Sequence, residues 1–197
     1  MLSDHLQIPT GSTGAMLRQE RTAGSDLGRE ADAYTAEGKL FPDTIALKVV
    51  ERWLEENGDR FILDGFPRTV GQARAFDQML TRRGGEVDAV IALQLPRTEI
   101  ERRVLSRLTC EDCGATFSTS LHNVAEGGEC PKCGGRLGRR KDDTLEALDQ
   151  RLQQHTTLSQ PVEAHYAAQG KLVSIDVSAG VESAFQEVLN QLEGRAA

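Results

Sequence analysis

The sequence predicts an α/β fold, a doubly wound parallel sheet carrying one small insert. Three observations predict it. Short apolar runs, "RFILDGF" (60–66), "AVIALQL" (89–95) and "KLVSID" (171–176), have the continuous hydrophobicity of strands buried on both faces. Segments of helical periodicity lie between them, and strand–helix alternation is the pattern of a parallel sheet with crossover helices. All the cysteines, four in number, fall between Cys110 and Cys133, inside a Gly-rich stretch (109–143) that breaks the alternation.

The elements follow in order. "IPTGST" (8–13) is long enough for a short fourth strand. "DTIALKVVERWLEEN" (43–57) sets Ile45, Val49 and Trp53 four residues apart, one stripe of a helix. After the strand at 60–66, "TVGQARAFDQMLTRRG" (69–84) repeats the pattern with Ala73, Phe76 and Leu80. Beyond the strand at 89–95, "RTEIERRVLSRL" (97–108) aligns Ile100, Val104 and Leu108 as a helix, and its alternating charges at 97–103 read as ordinary surface pairing. "TLEALDQRLQQHTTLSQPVEAHYAAQG" (144–170) reads as a long helix with Pro161 inside it and Gly170 ending it. The strand at 171–176 and a helix over "GVESAFQEVLNQLEG" (180–194) close the chain.

A chain of 197 residues is enough for one compact domain plus a small insert. Its 23 Lys+Arg against 30 Asp+Glu give a net charge of -7, which argues against a general nucleic-acid binder. No apolar run approaches the roughly 20 residues of a membrane helix. The N-terminus lacks a basic-then-apolar leader pattern. A soluble, cytoplasmic protein without membrane partners is expected, and in that compartment clustered cysteine pairs point to metal rather than disulfides.

The insert holds two Cys-x-x-Cys pairs, Cys110/Cys113 and Cys130/Cys133, each followed by a glycine, Gly114 and Gly134. Two thiolates can reach one ion from such a tight turn, and glycine accommodates the backbone after the second ligand. Four thiolates suit tetrahedral Zn²⁺ best, although iron would also accept them. The competing reading is a set of free or disulfide-bonded thiols. Because the insert has little apolar content, metal would supply most of its folding energy. The role would be structural, since four thiolates leave no open position for water.

"FILDGFPRTVGQA" is the most informative stretch of the chain. An apolar strand ends in Asp64, at the carboxyl edge where α/β sheets bind ligands. Gly65 and Pro67 shape a turn that presents Arg68, and Gln72 follows on the first turn of the next helix. Alone, Asp64 could be a helix cap, Arg68 a surface charge and Gln72 solvated. The whole string resembles the signature of the adenylate kinase family. Further segments resemble the same family in the same order: "STGAMLR" (12–18), "GKLFPDTIALKVV" (38–50), "RRVLSRLTCEDCG" (102–114) and "GRRKDDTLEALDQRL" (138–152). The four-cysteine insert is similar to the zinc-bearing lid of one bacterial subgroup.

The resemblance implies a P-loop nucleoside monophosphate kinase fold with a zinc-ribbon lid, and transfer of a phosphoryl group from Mg·ATP to AMP giving two ADP. It implies a core over 1–108 and 144–197, an AMP-binding segment at about 13–42, and a lid over 109–143. By position, Thr13, Arg18, Lys39, Leu40, Phe41, Gly65, Phe66, Pro67, Arg68 and Gln72 belong to the AMP side. Arg103, Arg107, Thr116, Phe117 and Ala179 belong to the ATP side, Arg103 lying one helical turn before Arg107. Arg140 and Arg151 match arginines that clamp the transferring phosphate and the AMP side, and Asp64 is expected to organise Mg²⁺ through water. Guanidinium forks suit phosphate oxygens, so arginines collect in an otherwise acidic protein. Arg82, Arg83 and Arg102 have no matching role and read as solvated; His5, His122, His155 and His165 read as structural or solvent-facing. A monomer is the family expectation.

The chain departs from the family pattern in three places. No G-x-x-x-x-G-K loop occurs in the sequence. "LSDHLQIP" aligns with the end of the family's first helix, so the first strand and its phosphate loop, roughly twenty residues, are read as missing. Without that central strand the two halves of the sheet lose their common neighbour. Ala15 stands where the family has an aspartate, and Gly11 where it has an apolar residue, which should weaken the short strand. Several readings of the whole follow: a kinase whose sequence starts at an internal methionine and whose activity is impaired; a short form that binds AMP and zinc but catalyses weakly; a zinc-ribbon interaction protein on a kinase scaffold; or a UMP/CMP-type kinase.

Overall fold

The computed structural model describes residues 1–36, 42–140 and 143–196. Two compact units divide the chain. The first comprises Met1–Ala92, Thr157–Val173 and Phe185–Ala197, the second Leu93–Thr156 and Ser174–Ala184.

The chain begins with α1 (Leu2–Leu6), β1 (Thr10–Ser12), α2 (Thr13–Thr22), α3 (Asp26–Ala36), α4 (Asp43–Asn57), β2 (Ile62–Asp64) and α5 (Val70–Arg82). β1 and β2 pair in parallel with Thr10 opposite Ile62, Gly11 opposite Leu63 and Ser12 opposite Asp64. Of the apolar stripe read from α4, Ile45 and Val49 are buried and pack with Leu54 against Phe76, Met79 and Leu80 of α5 and Met16 and Leu17 of α2, while Trp53 is half-buried at the edge of this core. Phe76 meets Phe61 and Phe66 edge-on, with ring centroids 5.9 and 5.2 Å apart. Such a packed aromatic centre fixes where β2 ends and where the chain turns into α5.

Next come β3 (Val90–Gln94), α6 (Arg97–Ser106), β4 (Arg107–Cys110), β5 (Thr116–Ser118), β6 (Leu137–Gly138) and α7 (Leu145–Gln154). A π-helical turn (His155–Ser159), α8 (Gln160–Ala167), β7 (Leu172–Asp176) and α9 (Val181–Ala196) complete the order. β3 and β7 pair with each other. The Val90 amide meets the Lys171 carbonyl and the Val177 amide meets the Gln94 carbonyl, so both strands run in the same direction. The parallel strands of the predicted sheet therefore stand as two separate pairs among the described residues. β4 lies between β5 and β6 in a small antiparallel sheet. Its own core is Leu108, Cys110, Cys130 and Leu137.

Two helices differ from their predicted extents. The helix read over 97–108 ends at Ser106, because Arg107–Cys110 pair with β5 and β6 instead. Leu108 fits the helical period, but it is wholly buried in the small sheet's core, and that burial outweighs local periodicity. Arg103 and Arg107 therefore do not share a helix face. The helix read over 144–170 is interrupted at His155–Ser159, just before Pro161. Proline has no N–H to donate to the preceding turn, and the ladder widens there. Among the described residues no helix is long and apolar enough to cross a membrane.

Candidate functional site

In the first unit, register decides the geometry. Ser12 lies opposite Asp64, so Thr13 and Gly65 both leave the carboxyl edge of one parallel pair. Thr13 is buried at the start of α2, where Ser12 Oγ caps the helix by accepting the Ala15 N–H at 3.3 Å. Arg18 is exposed on α2 and lines an open cavity with Ala15, Gln19, Thr22 and Ala23.

Gly65 has φ +70°, a conformation that favours glycine, and a Cβ there would stand 3.0 Å from Arg68 Nη2. Arg68 Nε donates to the Gly65 carbonyl at 2.8 Å. Phe66 is buried against Phe76, and Pro67 follows it through a cis peptide. The turn is thus anchored by Phe66 while Arg68 stays exposed. Thr69 caps α5, its Oγ1 accepting the Gln72 N–H at 3.0 Å. Gln72 is only 6% exposed, accepting the Arg68 N–H on Oε1 and donating from Nε2 to Asp43 Oδ1, each at 2.7 Å. The other carboxylate oxygen of Asp43 accepts the Thr69 hydroxyl at 2.7 Å.

In the second unit, Arg107 Nε donates to Asp143 Oδ2 at 3.1 Å, and its Nη2 bonds Oδ1. The Asp143 side chain is fully buried, and the Arg107 guanidinium holds its carboxyl below the ordinary value. Arg103 donates to Glu99 Oε1 at 2.8 Å and to the Val177 carbonyl at 3.2 Å, which brings it to the turn that carries Ala179. Hydrogen bonds from Arg102 and Arg103 hold Glu99 down at about 2. Arg140 Nε donates to Thr109 Oγ1 at 3.0 Å, and Thr116 is paired with Thr109 across β4 and β5, with Phe117 beside it opposite Leu108. Arg151 lies on α7, with its side chain outside the described residues, as are Lys39, Leu40 and Phe41 altogether.

The four cysteine sulfurs lie within 4.8 Å of one another. Cys110 and Cys133 sulfurs are 3.5 Å apart, Cys113 and Cys130 sulfurs 3.8 Å. A tetrahedral ion with metal–sulfur bonds of about 2.3 Å needs sulfurs about 3.8 Å apart, so the set fits one such ion. The Cys113 backbone N–H pulls the Cys110 thiol down to about 7. The Gly135 N–H favours a Cys133 thiolate, but the neighbouring thiols of Cys113 and Cys110 outweigh it and push Cys133 up to about 12. Four thiolates cannot share this space without a cation to neutralise them.

The model of one protein family, described as adenylate kinase, matches residues 1–171. The adenylate kinase of Archaeoglobus fulgidus is 36% identical over 196 residues, covering 98% of this chain and 89% of the relative. That of Syntrophomonas wolfei is 36% identical over 195 residues, covering 98% and 91%. That of Moorella thermoacetica is 38% identical over 182 residues, covering 91% and 84%. The chain belongs to the adenylate kinase family.

Within this adenylate kinase chain, two buried-side acids escaped sequence reasoning. Asp43 opens α4 and drew no reading of its own from the sequence; Asp143 sits in the quoted Arg-Lys-Asp-Asp run. The signal for Asp143 was an acid beside arginines in an otherwise polar loop. For Asp43 there was none beyond helix position, because the partner Gln72 lies 29 residues away. Arg83 and Arg102, read as solvated, are paired: Arg83 with Asp59 at 2.8 Å, Arg102 with Glu99 at 2.6 Å and with Ser120 Oγ at 2.9 Å. His165 pairs with Asp77 at 2.7 Å, and His122 accepts the Ser118 N–H, which fits structural roles for both.

Proposed function

We propose that the chain binds AMP at the edge of β1 and β2 and takes part in phosphoryl transfer from Mg·ATP to AMP, giving two ADP. The observation that carries this is the anchored turn from Asp64 to Gln72 in a member of the adenylate kinase family: a buried aromatic, an amide held at both ends and an exposed guanidinium set at the carboxyl edge of parallel strands. Thr13, Arg18, Gly65, Phe66, Pro67, Arg68 and Gln72 would hold AMP, with Lys39, Leu40 and Phe41 beside them. Arg103, Arg107, Thr116, Phe117 and Ala179 would serve ATP, and Arg140 and Arg151 the transferring phosphate. Asp64, exposed at the end of β2, would hold Mg²⁺ through water. Phosphoryl transfer needs positioning and neutralisation of charge more than covalent help, and fixed arginines supply both.

Cys110, Cys113, Cys130 and Cys133 would hold a structural zinc ion in a lid spanning 109–143. Bound zinc would fix the turns on which the small antiparallel sheet folds. The protein would act as a monomer on free nucleotides.

One observation favours a second, weaker version of the same function. No G-x-x-x-x-G-K stands among the 197 residues, and those residues by themselves lack the backbone cradle that neutralises ATP phosphates. Turnover by the 197-residue chain would then be well below an ordinary kinase range of roughly 1–100 s⁻¹. A coupled ADP-release assay, run beside AMP titration calorimetry, separates the cases. AMP binding with slow turnover supports the weak enzyme, and fast turnover the full one. No AMP binding at all refutes the site. UMP or CMP binding in preference to AMP would move the assignment to a pyrimidine kinase.

A further inference from the structure

Gln72 is a primary amide whose two ends look alike in shape and differ in chemistry. A side-chain amide can flip its oxygen and nitrogen at little steric cost. Here it cannot. Asp43 presents a carboxylate, which only accepts, so the group facing Oδ1 at 2.7 Å has to be the Nε2 amino group. The Arg68 backbone N–H only donates, so the group facing it at 2.7 Å has to be Oε1. Asp43 is itself held, its Oδ2 accepting the Thr69 hydroxyl at 2.7 Å while that hydroxyl caps α5. Gly71 leaves room for the carboxylate, since a Cβ there would stand 3.1 Å from Oδ2.

One amide N–H and one lone pair of Oε1 remain unspent, in a fixed order. Adenine carries an amino donor at position 6 beside a ring-nitrogen acceptor, the complement of that pair. Hypoxanthine carries a carbonyl acceptor at position 6, which faces Oε1 unfavourably unless the amide flips. We propose that Asp43 is a positioning residue for base selection: by locking the Gln72 amide it makes the AMP-side site accept a 6-amino purine and reject a 6-oxo purine. This rests on the AMP-site reading above.

The test compares binding of AMP and IMP by titration calorimetry in the wild-type chain and in Asp43→Asn, whose amide tolerates either orientation of Gln72. The side-chain ¹⁵N–¹H resonances of Gln72 are followed in both proteins. Wild type is expected to favour AMP over IMP roughly five- to hundredfold. In Asp43→Asn the ratio should fall about fivefold or more, one hydrogen bond's share of the lock. The Gln72 side-chain amide protons should be protected from solvent exchange in wild type and exchange faster in the variant, where one of the two bonds that hold the amide is weakened. If folded Asp43→Asn keeps the wild-type ratio, Asp43 does not select the base, although the AMP site stands. If wild type binds AMP and IMP equally, the lock does not select the base although the AMP site stands; if it binds neither, the AMP-site reading fails and the proposal with it. If the variant does not fold, the wild-type spectrum decides: a Gln72 side-chain amide that exchanges as fast as an exposed one overturns the lock, and a strongly protected one supports it.

Discussion

Arg107 and Asp143 form a two-pronged pair in which the carboxylate is fully buried and the guanidinium about a quarter exposed. The pair joins the first residue of β4 to the segment that follows β6, so it ties the two ends of the small sheet's chain together. Bidentate geometry and burial place it among the stronger ion pairs, unlike the exposed Arg97–Glu101 pair.

Asp143→Asn should destabilise the second unit by about 2 kcal/mol at pH 7, because a neutral amide leaves the guanidinium short of an acceptor. The effect has a pH signature. The Asp143 carboxyl lies below its ordinary value, so its contribution is present above roughly pH 4 and is lost as pH falls through the folded-state value. Urea unfolding from pH 7 to pH 3 checks this: wild type and variant should converge at the acid end. A constant gap across that range would refute the linkage.

The cysteine set makes a second expectation. The core around it is four buried residues, two of them ligand cysteines, too little to hold three short strands unaided. About one zinc per chain should co-purify, and stripping it with a chelator should open 111–136 to protease while the Phe76-centred core of the first unit stays resistant. Cys113→Ser should behave like the stripped protein. Mass spectrometry of the cleavage products measures it, and equal resistance with and without metal would count against a structural ion.

Tyr166 supplies a third expectation, at alkaline pH. It is completely buried on α8, and its hydroxyl donates to Asp77 Oδ1 at 3.1 Å. Burial first, then the nearby Asp77 charge, pushes its phenol well above the usual range. The unfolded chain loses this proton near pH 10 while the folded one keeps it, so stability falls as pH rises beyond that point. Tyr166→Phe should cost about 1 kcal/mol at pH 7, and the gap should close as pH passes 10. Denaturant melts at pH 7, 9 and 10.5 test it; parallel curves would mean that the phenol ionises equally in both states.

Much of this was legible in the sequence because periodicity and motif order are local properties. α4 has the bounds its stripe implies, Ile45 and Val49 are buried, and the Asp64–Gln72 string forms one anchored turn. What escaped depended on partners distant in the chain. Leu108 matched a helical period, yet its burial belongs to a sheet formed with residues 116–118 and 137–138. Asp43 is unremarkable until Gln72 arrives beside it. The sequence also shows no volumes, and Gly11 is the case in point.

Gly11 read as a weakness, a residue without a side chain where a strand wants one. Its pairing with Leu63 is nevertheless in place, and the space a side chain would fill is already taken. A Cβ on Gly11 would overlap Met16 Cε and approach Trp53 Cε2 to 2.9 Å. Glycine here lets α2 and α4 close over β1, and packing gained on that face offsets the strand propensity lost. Gly11→Ala should therefore destabilise the first unit by about 1–3 kcal/mol, the usual cost of overpacking, rather than stabilise it as added strand propensity would. Gly11→Val should cost more. Trp53 is the only tryptophan, so its fluorescence reports directly on the displaced ring. An emission shift with a lowered urea midpoint is expected for Gly11→Ala, and a raised midpoint would show that strand propensity, not packing, governs this position.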